Sequence, residues 1–131
     1  MTRFLLVAAG GALGSMARYG LVLLMSRLTP GAGWPLATFT ANVLGGLAMG
    51  LLVGWLAFRG DAHQETIRLF AAVGVLGGFT TFSAFSLETA LMIERRQLAM
   101  AGAYVAASVA LSVLALFLGL MVARRAFGAA L

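Results

Sequence analysis

Three long stretches of this chain carry no charged residue, and they limit its fold more than any other feature. They cover residues 28–58, 69–87 and 97–123. A helix needs about 20 mostly apolar residues to cross the hydrocarbon core of a bilayer, so each stretch can supply one crossing. A fourth candidate runs from Phe4 to about Met25 and is interrupted only by Arg18.

The composition agrees with a membrane protein. Of the 131 residues, 62% are hydrophobic and 10% are charged, whereas about a quarter of the residues of an ordinary soluble domain are charged. We therefore predict an all-α membrane protein, a single four-helix transmembrane domain over residues 1–131. The predicted spans cover about residues 4–25, 36–58, 69–93 and 98–123, which leaves no room for a soluble catalytic lobe.

The third span contains a segment that is poorly suited to a continuous helix. The segment reads Gly77-Gly78-Phe79-Thr80-Thr81-Phe82-Ser83-Ala84-Phe85-Ser86. Glycine weakens a helix, and the hydroxyls can bind backbone groups or a ligand. We predict a helix broken near residues 77–81, which must then lie in the protein interior or beside a water-filled cavity. The alternative is a glycine kink packed against a neighbouring helix.

Polar groups also occur within the first two spans. Thr38 and Asn42 are four residues apart and so share a helix face. Asn42 either forms hydrogen bonds across helices or lines a wet path. Arg18 costs about 2.5–3.5 kcal/mol at the centre of a span, so it either extends to the membrane surface or faces an aqueous vestibule.

Span 4 carries a row of hydroxyls. Ser108 and Ser112 are four residues apart, and Tyr104 lies one turn earlier on the same face. The row is either a seam for helix packing, which the residues alone favour, or a polar track.

Small residues predict close helix packing in spans 1 and 2, because glycine lets two backbones approach. The glycines concerned are Gly10, Gly11 and Gly14 in span 1, and Gly46, Gly50 and Gly54 in span 2.

The sequence argues against an enzyme and against nucleic-acid binding. All nine basic residues are arginines that lie mainly at span ends, without a basic stripe. There is no cysteine, and the single histidine, His63, lies in a loop. Neither a nucleophile–base set nor a pair of carboxylates within one span can be assembled.

The arginines barely favour one orientation in the membrane. One side would hold five of them, namely Arg3, Arg59, Arg68, Arg124 and Arg125, and the other would hold Arg27, Arg95 and Arg96. Because the positive-inside rule depends on such a bias, insertion in both directions and an antiparallel homodimer become plausible.

The remaining groups suit a small ion that crosses a narrow, dry path. Phe82 and Phe85 are three residues apart and share a face. Phenyl rings are positive at their edges, which favours an anion, whereas carbonyls freed at a helix break favour a hard cation.

Three motifs together resemble the CrcB/Fluc fluoride channel family. They are Gly10-Gly11-x-x-Gly14-x-x-x-Arg18-Tyr19, Thr38-x-x-x-Asn42-x-x-Gly45 and Gly77-Gly78-x-Thr80-Thr81-Phe82-Ser83-x-Phe85-Ser86. The resemblance covers nearly the whole chain. Val75-Leu76 and Ala84 depart from the residues that are common in the family, at positions not expected to touch the ion.

The resemblance implies a dual-topology homodimer with two antiparallel pores. A structural Na⁺ would lie at its centre, held by backbone carbonyls of Gly77 and Thr80 from both subunits. The implied fluoride path comprises Asn42, Phe82 and Phe85 with the track Ser108 and Ser112, and with Thr81 and Ser83 close by. We add Tyr104 to this path, and we place Arg18 and Thr38 in a vestibule.

The implied function is passive export of toxic fluoride across the bacterial inner membrane. The alternative is a small four-span proton-coupled exporter of multidrug or other cations, which would need a titrating carboxylate deep within a span. Span 1 has none, and Glu88 lies close to a span end. A third alternative is a membrane protein that transports nothing and whose glycines and serines only pack.

Overall fold

The computed structural model describes residues 1–59 and 63–128, and the regular secondary structure in this part of the chain is helical. The helices are α1 (Thr2–Leu28), α2 (Leu36–Leu56), α3 (Gln64–Ile67), α4 (Gly77–Phe79), α5 (Phe82–Glu94) and α6 (Leu98–Gly128), with a π-helical segment, Arg68–Leu76, between α3 and α4. Among the described residues, four helices are long and apolar enough to cross a membrane: Thr2–Leu28, Leu36–Leu56, Gln64–Glu94 and Leu98–Gly128. The prediction of four spans is confirmed.

The observed bounds differ from the predicted ones at several ends. Helices α1 and α6 extend beyond the predicted spans on the sides where charged residues begin, because a helix can continue past the hydrocarbon into the interface. Helix α2 ends at Leu56, two residues earlier than predicted, and the third span begins at Gln64 rather than near residue 69. The π-helical segment was not predicted, since a nine-residue run contains too few turns to distinguish its period from that of an α-helix.

Two turns explain where the long helices stop. After α1, both the N–H and the Oγ1 of Thr29 donate to the Met25 carbonyl, at 2.9 and 2.8 Å, and Gly31 then takes a left-handed φ of 76°. Between α5 and α6, Arg96 takes a φ of 58°, a conformation that is uncommon for residues other than glycine. Both turns reverse the chain within a few residues, so neighbouring spans run in opposite directions.

The four spans pack as two pairs, α2 against α6 and α1 against the π-helical segment and α4. Glycines make both contacts close. A Cβ on Gly14 would overlap the Val75 carbonyl, and a Cβ on Gly46 would lie 2.6 Å from the Ser112 carbonyl. Gly10, Gly50 and Gly54 likewise face backbone or Cβ atoms of the partner helix too closely for a side chain. The predicted close packing in spans 1 and 2 is confirmed at these glycines, while a Cβ on Gly11 would have no atom within 4 Å among the residues that the structure describes.

Candidate functional site

The backbone of Thr80 and Thr81 separates α4 from α5. Thr80 has φ −81° and ψ 157°, and Thr81 has φ −152° and ψ 122°, so both residues are extended. The Thr81 hydroxyl accepts a hydrogen bond from the Ala84 N–H at 3.2 Å and thereby caps the first turn of α5. The Thr80 N–H keeps its helical bond to the Leu76 carbonyl at 3.0 Å, whereas the Thr81 N–H, which a continuous helix would pair with the Gly77 carbonyl, bonds outside the helix.

Asn42 on α2 takes up the backbone groups of Thr81. Its Oδ1 accepts the Thr81 N–H at 2.8 Å, and its Nδ2 donates to the Thr81 carbonyl at 3.0 Å. Of the two predicted roles for Asn42, the hydrogen bond across helices is thus present. The same side chain also lines the groove that is described next.

An open groove of about 430 Å³ runs along α2, α5 and α6 beside the extended residues. Its walls include six of the residues that the sequence places on the ion path: Asn42, Thr81, Phe82, Phe85, Ser108 and Ser112. The lining also includes Gly45, Gly46 and Thr80 and the apolar side chains of Met49, Val109, Val113 and Leu116. The structure therefore gathers groups from three separate spans into one surface.

Aromatic rings form one side of this groove. The Phe82 and Phe85 rings are in contact, with centroids 5.6 Å apart, and the Phe85 centroid lies 5.3 Å from that of Tyr104. Phe85 is 8% exposed, whereas Phe82 is 76% exposed in the single chain. Phe85 is thus fixed by its neighbours, while Phe82 projects outward from the bundle.

The serine row of α6 supplies buried hydroxyls. Within the described parts of the chain, Ser112 Oγ is buried and makes no hydrogen bond, whereas the buried Ser108 hydroxyl lies beside the Tyr104 hydroxyl and interacts with it. Leaving a buried polar group unpaired costs about 1–3 kcal/mol. The Ser112 hydroxyl is therefore able to donate a hydrogen bond to a group that enters the groove.

Glu88 lies at the Tyr104 end of the serine row and was missed by the sequence reasoning. The Thr38 hydroxyl donates to its Oε1 at 2.6 Å, and the Tyr104 hydroxyl donates to its Oε2 at 2.7 Å. The carboxylate thus joins α2, α5 and α6 within the bundle rather than lying free at a span end. A signal was available, because Glu88 has no arginine three or four residues away on its own helix to pair with.

The remaining predicted residues lie outside the groove. Ser83 is exposed, with its Oγ 3.3 Å from the Thr81 hydroxyl. Arg18 is half-buried on α1 and does not line the groove of the single chain. Gly77 is exposed, and the nearest atom to a Cβ there would be the Ala72 carbonyl at 3.7 Å. Among the described residues, no group of three His, Cys, Asp or Glu side chains could hold a metal ion.

Comparison with known proteins identifies the family. The family model "CrcB-like protein, Camphor Resistance (CrcB)" matches residues 5–120. The chain is 62% identical to the fluoride-specific ion channel FluC of Caulobacter sp. strain K31, over 97% of this chain and 98% of the relative. It is 61% identical to that of Phenylobacterium zucineum and 59% identical to that of Caulobacter vibrioides strain NA1000, in each case over 97% of this chain and 99% of the relative. The chain belongs to the CrcB family.

Proposed function

We propose that this protein is a passive, fluoride-selective channel of the bacterial inner membrane. The observation that carries the proposal is the groove, whose lining includes Phe82, Phe85 and the unpaired hydroxyl of Ser112, beside the extended residues Thr80 and Thr81. The relatives named fluoride-specific ion channel FluC, matched over almost their full length, support the same function. Ring edges and hydroxyl hydrogens present partial positive charge to an anion that has lost its water.

The driving force needs no coupling residue. A negative interior potential of 100 mV favours exit of one negative charge by about 2.3 kcal/mol. Fluoride that enters as neutral HF and loses its proton inside would leave through the groove down this gradient. Proton-coupled export, by contrast, needs a carboxylate that binds and releases protons along the path, and the relatives named fluoride-specific ion channel FluC support the channel rather than that alternative.

We further propose that two copies assemble as an antiparallel dimer, in which one copy is inverted in the membrane relative to the other, and that the dimer contains two pores. Phe82, Ser83 and Gly77 are exposed on the third span of the single chain. Hydroxyls and an open backbone facing lipid would be unfavourable, so a second copy of the chain is the better neighbour for this face. The nearly even distribution of arginines, which permits insertion in both directions, supports the antiparallel arrangement.

We also propose that a structural Na⁺ is held at this face by carbonyl oxygens. The Thr81 N–H, which a continuous helix would direct to the Gly77 carbonyl, bonds instead to Asn42. The extended ψ of Thr80 turns its own carbonyl out of the helix direction. Gly77 and Thr80 from both copies could therefore supply four oxygen ligands, the type that hard cations prefer. Such an ion would add positive potential beside the anion path.

Flux from liposomes tests the proposal. Purified protein is reconstituted in vesicles loaded with potassium fluoride, and external fluoride, chloride and pH are followed with and without the potassium carrier valinomycin. A passive channel releases fluoride rapidly only when valinomycin allows potassium to balance the charge, excludes chloride and moves no protons. Flux that requires proton movement would support the exporter, and the absence of flux would support a protein that only packs.

A further inference from the structure

The hydrogen bonds of Asn42 account for the conformation of Thr80 and Thr81. A carboxamide carries one acceptor and two donors, and in Asn42 the acceptor and one donor are both used by the backbone of Thr81. In a continuous helix, the Thr81 N–H would donate to the carbonyl four residues earlier, that of Gly77. Asn42 therefore competes directly with the next turn of the helix for this N–H.

Gly45 allows Thr80, the residue before Thr81, to pack against α2. It lies three residues after Asn42 and so on the same face of α2. A Cβ on Gly45 would overlap the Cγ2 methyl of Thr80, which means that this methyl rests directly on the α2 backbone. Both the N–H and the Oγ1 of Thr80 donate to the Leu76 carbonyl, at 3.0 and 2.9 Å, which closes α4 at this point. One face of α2 thus receives both extended residues.

We propose that Asn42 and Gly45 are positioning residues that hold Thr80 and Thr81 extended, a role separate from any contact of Asn42 with the ion. Because unpaired backbone groups are costly in a membrane, the Thr81 N–H needs a partner if Asn42 is removed. The Gly77 carbonyl is the partner on its own chain, and that bond would continue the helix. The Gly77 carbonyl would then be occupied by this hydrogen bond. The start of α5, with Phe82 and Phe85, would rotate away from its present direction.

Chemical shifts of Thr80 and Thr81 test this role directly. The ¹³Cα and ¹³Cβ shifts, recorded in lipid bilayers by solid-state NMR, distinguish extended from helical backbone. Asn42→Leu keeps a similar side-chain volume without hydrogen-bonding groups, Gly45→Ala displaces the Thr80 methyl, and Ser112→Ala is a control that alters the same groove away from the two threonines. We expect helical shifts in the first two variants, with fluoride efflux reduced at least tenfold, and extended shifts in the control.

The result for Asn42→Leu decides between positioning and ion contact. If Thr80 and Thr81 keep their extended shifts while flux is lost, Asn42 acts only by touching the ion and the proposal is wrong. If Asn42→Leu does not fold, Asn42→Asp replaces it, since it retains an acceptor for the Thr81 N–H and loses the donor to the Thr81 carbonyl. We expect extended shifts at Thr81 in Asn42→Asp, and helical shifts there would overturn the proposal.

The effect of Asn42 on the Na⁺ site at the Gly77 carbonyl rests on the proposed function, and it is measured separately. Thermal unfolding is compared in sodium and in N-methylglucamine buffers. We expect sodium to raise the midpoint for the wild type and for Ser112→Ala but not for Asn42→Leu. A wild type without a sodium effect would remove the proposed cation site while leaving the NMR result to decide the role of Asn42. A sodium effect that persists in Asn42→Leu would show that the Gly77 carbonyl does not depend on Asn42.

Discussion

Two interhelical contacts of this protein work in opposite ways. Where α1 meets the π-helical segment and α4, glycines bring backbones together: Gly10 faces Phe70 and Gly74, and Gly14 faces Val75. Where α2 meets α5, the contacts are instead hydrogen bonds from side chains, Asn42 to Thr81 and Thr38 to Glu88. The glycine contact leaves neither space nor polar groups between the helices, whereas the hydrogen-bonded contact retains both space and polar groups.

The difference shows how a small membrane bundle can contain a polar groove. Lipid provides no hydrophobic force between helices, so stability must come from tight packing and from hydrogen bonds. The glycine contacts of α1 supply the packing, and the hydrogen bonds from α2 hold the extended backbone of the third span. The unpaired Ser112 hydroxyl can then face the groove at a cost of about 1–3 kcal/mol.

The largest effect is expected from filling the glycine contact. Gly14→Leu places a side chain where the Val75 carbonyl and the Phe79 N–H lie, so we expect little or no folded protein by size-exclusion chromatography in detergent. Gly102→Leu is the matched control, because among the described residues no atom lies within 4 Å of a Cβ placed on Gly102. Equal loss of folded protein in both variants would show that the close glycine contact of α1 is not what the fold depends on.

Substitutions of the rings should separate function from fold. Phe82→Ile and Phe85→Ile retain apolar bulk but remove two aromatic rings, with their positive edges, from the lining of the groove. We expect fluoride efflux from liposomes to fall at least tenfold in each, with the assembly intact by size-exclusion chromatography. Phe4→Ile, on an exposed position of α1, serves as the control. Undiminished flux in both groove variants would reject the role of the ring edges.

Replacing Glu88, whose carboxylate links α2, α5 and α6, should have a moderate effect on the free energy of unfolding. A glutamine at position 88 can accept from only one of the two hydroxyls in the same way, so Thr38 or Tyr104 loses its acceptor. We expect Glu88→Gln to lower the free energy of unfolding by about 1.5–3 kcal/mol, the usual range for a hydrogen bond to a charged group. Glu94→Gln, at an exposed helix end, should change it by less than about 0.5 kcal/mol. Equal values for the two variants would show that Glu88 does not link the helices.

The smallest effect on stability is expected in the serine row. Ser112→Ala removes a buried hydroxyl without a partner in the described chain, so the free energy of unfolding should stay constant or rise by up to about 1 kcal/mol. Fluoride efflux should nevertheless fall severalfold, because the track loses a donor. A clear loss of stability would indicate that the hydroxyl serves packing rather than the ion path.

The sequence was informative where a local pattern determines structure. Charge-free stretches located the four spans, and glycine spacing located the close contacts. It was uninformative where residues from separate spans meet. No spacing rule relates Thr38, Glu88 and Tyr104, which lie on α2, α5 and α6, and the bond from Asn42 to Thr81 joins residues 39 positions apart. The π-helical segment escaped prediction because its difference from an α-helix is one of hydrogen bonding rather than of composition.

A crystal structure of the protein grown from lipid in the presence of sodium and fluoride is the most direct measurement of how the third span and its neighbour are arranged. We predict two copies that face in opposite directions, extended Thr80 and Thr81 bonded to Asn42, and density for a cation between the Gly77 carbonyls of the two copies. A third span that is helical without interruption, or copies that all face the same way, would contradict the proposed channel.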